Sequence, residues 1–337
     1  MIDPRSWTSN RNAFFRAVGT LLALALLVYL LGQQGWSEIG AAIHQIALWR
    51  FLAALALILC SRLAVTGRWY VLLKSGGINV SPWRTLRLTL AGLFASNFLP
   101  TTIGGDVVRL AGAIQYQLDG AISTASLIVD RLVGLTSMAL FLPFGLPALL
   151  AWLSSGQNQA SFQQAAPALA GFTGLLRLPK IVWKQGSRLT GRLLEALSHW
   201  LHQPRALFTS LLFSLLHMLC LFSILTLLLH GMGESISFWL VGGLWSIVYF
   251  VTLLPISING YGVQEISTTL IFSRVGGVSL QSSLTVAVLI RTLLMLGSLP
   301  GVAFVPDILA GSRRPAANAR PASEAAIPLS KDGQSDG

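Results

Sequence analysis

Again and again this sequence holds apolar residues for about twenty positions, the length a helix rising 1.5 Å per residue needs to cross a hydrocarbon core of about 30 Å. Such runs extend from about Phe51 to Leu73, Ile122 to Phe144, Leu207 to Leu229 and Leu284 to Val305, with a shorter one from about Ala17 to Leu31. A soluble protein of this size would need a charged shell, yet only 10% of the 337 residues are charged and 53% are apolar, against roughly a quarter charged in soluble domains. The expected fold class is therefore all-α integral membrane, with about seven spanning helices plus two re-entrant broken helices.

The 23 Lys and Arg residues outnumber the 12 Asp and Glu residues, giving a net charge of +11. They gather between the apolar runs, as the positive-inside rule and contact with anionic lipid require, so nucleic acid is not the expected partner. Arg5, Arg11 and Arg16 precede the first run, which resembles a signal sequence. Gly32-Gln33-Gln34-Gly35 after it offers no convincing small-residue cleavage site, so it is expected to stay as an anchor with the N-terminus inside. Arg68-Trp69-Tyr70 and Lys74 end the second run and read as cytoplasmic interfacial anchors, placing Ile39 to Trp49 outside. The stretch from Pro147 to Ala168 has no charge and suits the outer face. Arg177, Lys180, Lys184, Arg188 and Arg192 then form one helical stripe, either lying on an anionic cytoplasmic leaflet or serving as a solvated connector. That arrangement requires a crossing between about Gln164 and Leu178, the weakest of the expected spans. From Gly311 the chain is rich in Pro, Ala, Ser and Gly and reads as a disordered tail. The expected organisation is one polytopic membrane domain over residues 1–310 and a cytoplasmic tail over 311–337, in a bacterial inner membrane with both termini inside.

Two apolar runs are interrupted. Asn97-Phe98-Leu99-Pro100-Thr101-Thr102-Ile103-Gly104-Gly105-Asp106 breaks the first, and Leu254-Pro255-Ile256-Ser257-Ile258-Asn259-Gly260-Tyr261-Gly262-Val263-Gln264-Glu265 the second. Proline removes a backbone donor and glycine weakens a helix, so both segments are expected to leave the helix where protein or a wet cavity satisfies their polar groups. A glycine stands five residues after each proline, Gly105 and Gly260, and an intramembrane arginine follows 31 residues after Pro100 (Arg131) and 36 after Pro255 (Arg291). The charge pattern assigns the breaks to opposite sides, which predicts an inverted repeat of about residues 10–145 and 160–310, each with two spans, a re-entrant hairpin and one more span. Transporters recurrently use this design, with two halves rocking about a shared midplane site.

The candidate chemistry is the intramembrane charge, which is costly and normally faces a bundle interior or cavity. Asp106 and Arg109 open the half-helix after the first break, where free N–H groups and the helix dipole attract anions. A lipid phosphate would bind Arg109 and those amides, with Asp106 taking a cationic headgroup; alternatively Asp106 caps the helix and Arg109 snorkels. Glu265 is the corresponding charge in the second half, a headgroup contact or a buried partner for an arginine. Asp130 and Arg131 are adjacent, point apart on a helix and so need separate partners, structural or functional. Asn97, Thr101, Ser257 and Asn259, with Gly104, Gly105 and Gly260, complete the candidate substrate-binding set together with Arg291. Arg62 reads as helix glue or a snorkelling side chain. Cys60 and Cys220 read as small buried residues. His44, His199, His202, His217 and His230 show no metal-ligand spacing apart from the interfacial pair His199 and His202, so no cofactor and no enzymatic activity are expected.

Asn97-Phe98-Leu99-Pro100 with Gly104-Gly105-Asp106 and Arg109, Asp130-Arg131 with Gly134, and Leu254-Pro255-Ile256-Ser257 with Gly260, Gly262 and Glu265 resemble the flippase-like transmembrane family. That family includes the membrane half of lysylphosphatidylglycerol synthases, uncharacterised bacterial proteins, and relatives linked to archaeal glycolipid assembly and hopanoid gene clusters. The resemblance covers about residues 10 to 310. It implies translocation of a phospholipid, glycolipid or other polar lipid between leaflets, with membrane lipids as partners, anionic or hopanoid-related ones included. The alternative is a non-transporting membrane partner of a lipid-modifying or glycosyl-transfer enzyme. No aminoacyl-transferase domain is expected after Gly311, so synthase activity is not carried over.

Overall fold

The computed structural model describes residues 47–98, 104–155, 200, 202–253 and 263–311. The expected anchor at Ala17 to Leu31, the two proline breaks proper, the basic stripe, the crossing near Gln164 to Leu178 and the tail beyond Gly311 lie outside the described residues. So do Thr101, Ser257, Asn259 and Gly260. Within the described residues every regular element is a helix.

Helix α1 (Leu48–Ser75) is followed by α2 (Pro82–Phe98), α3 (Gly104–Gln115), α4 (Gly120–Ala139) and α5 (Leu142–Ser154). Then come α6 (Pro204–Gly231), α7 (Phe238–Thr252), α8 (Val263–Arg274) and α9 (Leu280–Leu296), a 3-10 turn (Leu299–Ala303) and α10 (Val305–Gly311). Four segments are long and apolar enough to cross a membrane: α1, α4, α6 and Leu280–Ala303. The described residues thus support a membrane protein with four candidate spanning helices, while the expected spans near Ala17 to Leu31 and Gln164 to Leu178 lie outside them. One expected run also proves to be two elements. Instead of continuing from Ile122 to Phe144, α4 ends at Ala139 and α5 begins at Leu142 with Pro143 in its first turn. A proline there loses no helical hydrogen bond, because the first N–H groups have no partner in any case. Consequently part of the uncharged stretch after Pro147 is helical.

The long helices are turned inside out relative to a soluble bundle. Buried positions on α1 recur at Ala54, Ile58, Ser61, Val65, Arg68 and Leu72, and on α6 at Ser210, Ser214, Met218, Leu221, Leu225 and Leu228. These steps of three and four residues put one stripe of each helix into a shared seam. Leu52, Leu59 and Leu63 of α1 and Phe208, Leu212, Leu216 and Leu219 of α6 face outward, where lipid rather than water must cover them. The two helices run antiparallel: Arg50 donates to the carbonyl of His230 at 3.5 Å, Ser61 Oγ meets His217 Nδ1 at 2.6 Å, and Trp200, just ahead of α6, donates to Ser75 Oγ at 2.9 Å.

Helices α2 and α3 form a second antiparallel pair. A Cβ on Gly105 would collide with the Gly92 carbonyl and Ser96, and one on Gly112 would meet Leu88. The glycines at 92 and 105 thus let two backbones touch, a packing device common in membranes. By length, the 12 residues of α3 and of α8 span only about 18 Å at 1.5 Å each, too short to cross alone. The last elements return to this pair: the Gly301 backbone lies against the Leu90 carbonyl, and Gln115 donates to the Asp307 carbonyl at 3.1 Å.

Helix lengths run 28, 17, 12 and 20 residues for α1 to α4 and 28, 15, 12 and 17 for α6 to α9. The helix ends match as well. After α1 and α6 the chain turns at Gly77 and Gly233, both with φ +84°, and the next N–H bonds back to Leu73 and Leu229, closing each helix with a Schellman turn. Gln117, at φ 58°, ends α3 in the same manner, and Gly277, at φ 69°, ends α8 one residue wider, with the Val278 N–H bonding back to Phe272. Side chains of Ser81 and Ser237 accept from the first turns of α2 and α7, and those of Asp119 and Ser279 from α4 and α9.

Candidate functional site

Buried charge collects where α1, α3, α4 and α6 meet. Asp130, 2% exposed, accepts from Arg68 of α1 through Nε at 2.7 Å and Nη2 at 3.0 Å, and from Arg109 of α3 at 3.2 Å. Arg68 spends a further N–H on Ser214 of α6 at 3.1 Å, and Ser214 in turn meets Ser137 of α4 at 2.6 Å. Gly134 keeps this space open, since a Cβ there would sit 3.0 Å from Arg68 Nη1. Arg109 lies over the Trp69 ring at 4.0 Å from its centroid, and Trp69 Nε1 donates to Ser126 at 3.0 Å. The glycine at 92 makes room for it, because a Cβ there would meet the aliphatic stem of Arg109. Two hydrogen-bond donors of Arg109, Nε and Nη2, are buried without a partner.

Arg68 and Trp69 correct the sequence expectation. They are not interfacial anchors but interior residues, Trp69 fully buried and Arg68 9% exposed. Their recurrence on the Ser61, Val65, Leu72 stripe is the signal that marks them as inward-facing. Cys220 is buried as expected, whereas Cys60 is exposed on α1.

Asp106 and Arg131 make a second pair at 2.6 Å, with Asp106 also 3.5 Å from Arg109. Adjacent residues Asp130 and Arg131 do point apart: one serves the interior and the other is half exposed. The counterpart in the second half is Glu265 with Arg291, also at 2.6 Å. In both cases the acid is the third residue of a 12-residue helix and the arginine the twelfth residue of the helix that follows. An acid in the first turn also suits the positive end of the helix dipole. The environments differ, since the side chain of Arg131 is 50% exposed and that of Arg291 only 5%.

Asn97 belongs to a third cluster, at the end of α2. Its amide donates to Ser298 Oγ at 2.9 Å and to the Leu294 carbonyl at 3.3 Å, and Arg62 of α1 donates to the same carbonyl at 3.0 Å. Gly104 and Gly105 are buried at the start of α3. The structure therefore brings Arg109, Asp106, Asp130 and Arg131 into one connected group, pairs Glu265 with Arg291, and seats Asn97 beside Arg62. Among the described residues no three His, Cys, Asp or Glu side chains converge as a metal site would need.

Spanning helices whose outward faces are leucine and whose shared interior is arginine, carboxylate and serine define a polytopic membrane protein with a charged core. The chain belongs to the family described as lysylphosphatidylglycerol synthase TM region, whose model matches residues 16–301. It is thus a membrane domain of a kind associated with lipid metabolism, as the paired motifs implied. No curated protein and no solved structure matches it significantly.

Proposed function

We propose that this protein moves a polar lipid between the two leaflets of the membrane, its headgroup passing along the charged interior while the acyl chains remain in the bilayer. The observation that carries this reading is the matched pair Asp106–Arg131 and Glu265–Arg291, held at the same positions of corresponding helices. A structural bundle has no need of charge at these depths, where each ion costs several kcal/mol before pairing.

The reading rests on an inverted repeat of α1 to α4 and α6 to α9, with α2–α3 and α7–α8 as re-entrant hairpins. Supporting it are the similar helix lengths, the like caps and the antiparallel packing of α1 against α6, the first described helix of each unit. Two halves of opposite direction present the same pair to opposite sides, so the half-exposed Asp106–Arg131 and the enclosed Glu265–Arg291 represent one of two alternating states. The distribution of Lys and Arg favours a bacterial cytoplasmic membrane with both termini inside.

The test is leaflet exchange by the purified protein alone. Vesicles containing a fluorescent phospholipid are treated with dithionite, which quenches only the outer leaflet. Protein-containing vesicles are expected to lose the protected fluorescence faster than protein-free ones. Equal loss with well-folded protein, restored by adding a separate lipid-modifying enzyme, would replace transport by the role of a membrane partner.

A further inference from the structure

Arg62 stands apart from the other interior arginines. It is the fifteenth residue of the 28-residue α1, hence near mid-membrane, and only 5% exposed. Arg68 and Arg109 share Asp130, Arg131 has Asp106 and Arg291 has Glu265, but among the described residues no carboxylate pairs with Arg62. Its Nη2 donates to the Leu294 carbonyl, whereas its Nε is buried without a partner. Among the described residues this polar layer thus sets five arginines against three acids, Asp106, Asp130 and Glu265, an excess of two positive charges. The connecting segments 99–103 and 254–262 contain no acid.

Part of this is structural, because Leu294 lies in the last turn of α9, whose dipole presents about half a negative charge there. Half a charge does not balance a guanidinium, and one carbonyl does not use its fork. Arginine's planar edge suits the oxygens of a phosphate, which accept two parallel N–H groups. The surroundings are polar too: Asn97 donates to Ser298 Oγ and to the same Leu294 carbonyl that Arg62 uses. Asn97 is also the last polar residue of α2 before the first break, so movement of that hairpin changes access to the guanidinium.

We propose that Arg62 is an anion-binding residue of the lipid route, taking the phosphate of an anionic lipid headgroup when the α2 end parts from α9. This rests on the translocation reading and gives it a substrate class. The experiment compares wild-type protein with Arg62→Gln, which keeps a donor for the Leu294 carbonyl but removes the charge, and with Arg62→Lys, which keeps the charge but loses the fork. Affinity is read from the thermal shift of purified protein on adding phosphatidylglycerol, phosphatidylcholine or inorganic phosphate, each separately.

Wild type is expected to be stabilised by phosphatidylglycerol over phosphatidylcholine, with affinity for the former at least tenfold weaker in Arg62→Gln and severalfold weaker in Arg62→Lys. If Arg62→Gln does not fold, Arg62→Lys decides alone, and wild-type affinity in that variant would overturn the proposal. So would unchanged affinity in a folded Arg62→Gln. An equal, Arg62-dependent shift with inorganic phosphate would overturn the lipid assignment in favour of a free anion. Arg62-dependent binding without leaflet exchange by the wild type would sink the translocation reading instead, whereas exchange with Arg62-independent binding would sink only this one.

Discussion

Replacing Asp130 by asparagine probes the charged interior where it is most enclosed. The change preserves volume but removes the charge that faces Arg68 at 2.7 and 3.0 Å and Arg109 at 3.2 Å. Asparagine also turns an amide donor toward one guanidinium, so two buried cations lose their counter-ion together. Breaking a buried pair from one side costs about 3–5 kcal/mol, chiefly because the remaining charge stays uncompensated. At about 1.4 kcal/mol per decade, the unfolded fraction should rise between about 10²- and 10⁴-fold. Reversible SDS-induced unfolding in mixed micelles measures this, with Arg68→Met and the double variant completing a cycle. The double variant should be more stable than the sum of the single losses predicts, by about 0.5–3 kcal/mol, since it leaves only Arg109 to satisfy. Wild-type stability for Asp130→Asn, or strict additivity in the cycle, would refute the shared-carboxylate account.

Other consequences are equally direct. Glu265→Gln should destabilise by about 3 kcal/mol as a largely enclosed pair, and Asp106→Asn by about 1 kcal/mol or less because Arg131 is half exposed; equal losses in SDS unfolding would contradict the asymmetry. Gly105→Val should lower the melting temperature through overpacking of about 1–3 kcal/mol, because its side chain would strike the Gly92 carbonyl and Ser96, and an unchanged melting temperature would show that α2 and α3 are not in close contact. Glu234, in the loop before α7, accepts from Ser279 Oγ at 2.6 Å, and this hydrogen bond holds its carboxyl below the usual value of 4.5. The tether is then fully present above the ordinary carboxylate range and lost as pH falls through the lowered pKa, so the melting temperatures of wild type and Glu234→Ala should converge on acidification; a gap that widens would reverse the sign.

The sequence made the long helices legible because burial from water selects length and apolarity alone. Phe51 to Leu73 and Leu207 to Leu229 each fell within three residues of α1 and α6. Pro143 ended one run early, a boundary that hydropathy conceals because both α4 and α5 are apolar, although a proline so placed is a helix-start signal. The acids and arginines that matter were visible as intramembrane charge, but their partners were not. Asp130 and Arg131 are neighbours in sequence, yet one joins Arg68, 62 residues away, and the other Asp106, 25 residues away. Arg68 was hidden by its place near a basic, aromatic helix end, where the same residues ordinarily mark an interface. Only the three-and-four spacing of the inward stripe distinguishes the two cases. Arg62 was visible as a charge in a span, but that no carboxylate pairs with it among the described residues is a property of the packed helices.

Leaflet exchange in vesicles reconstituted with wild type, Arg109→Ala and Glu265→Gln, each with its melting temperature recorded, decides whether the charged interior carries lipid. Wild type is expected to accelerate exchange of a fluorescent anionic phospholipid, and each folded variant is expected to lose most of that rate, Arg109→Ala most severely. Wild-type exchange in both folded variants would remove these residues from the lipid route.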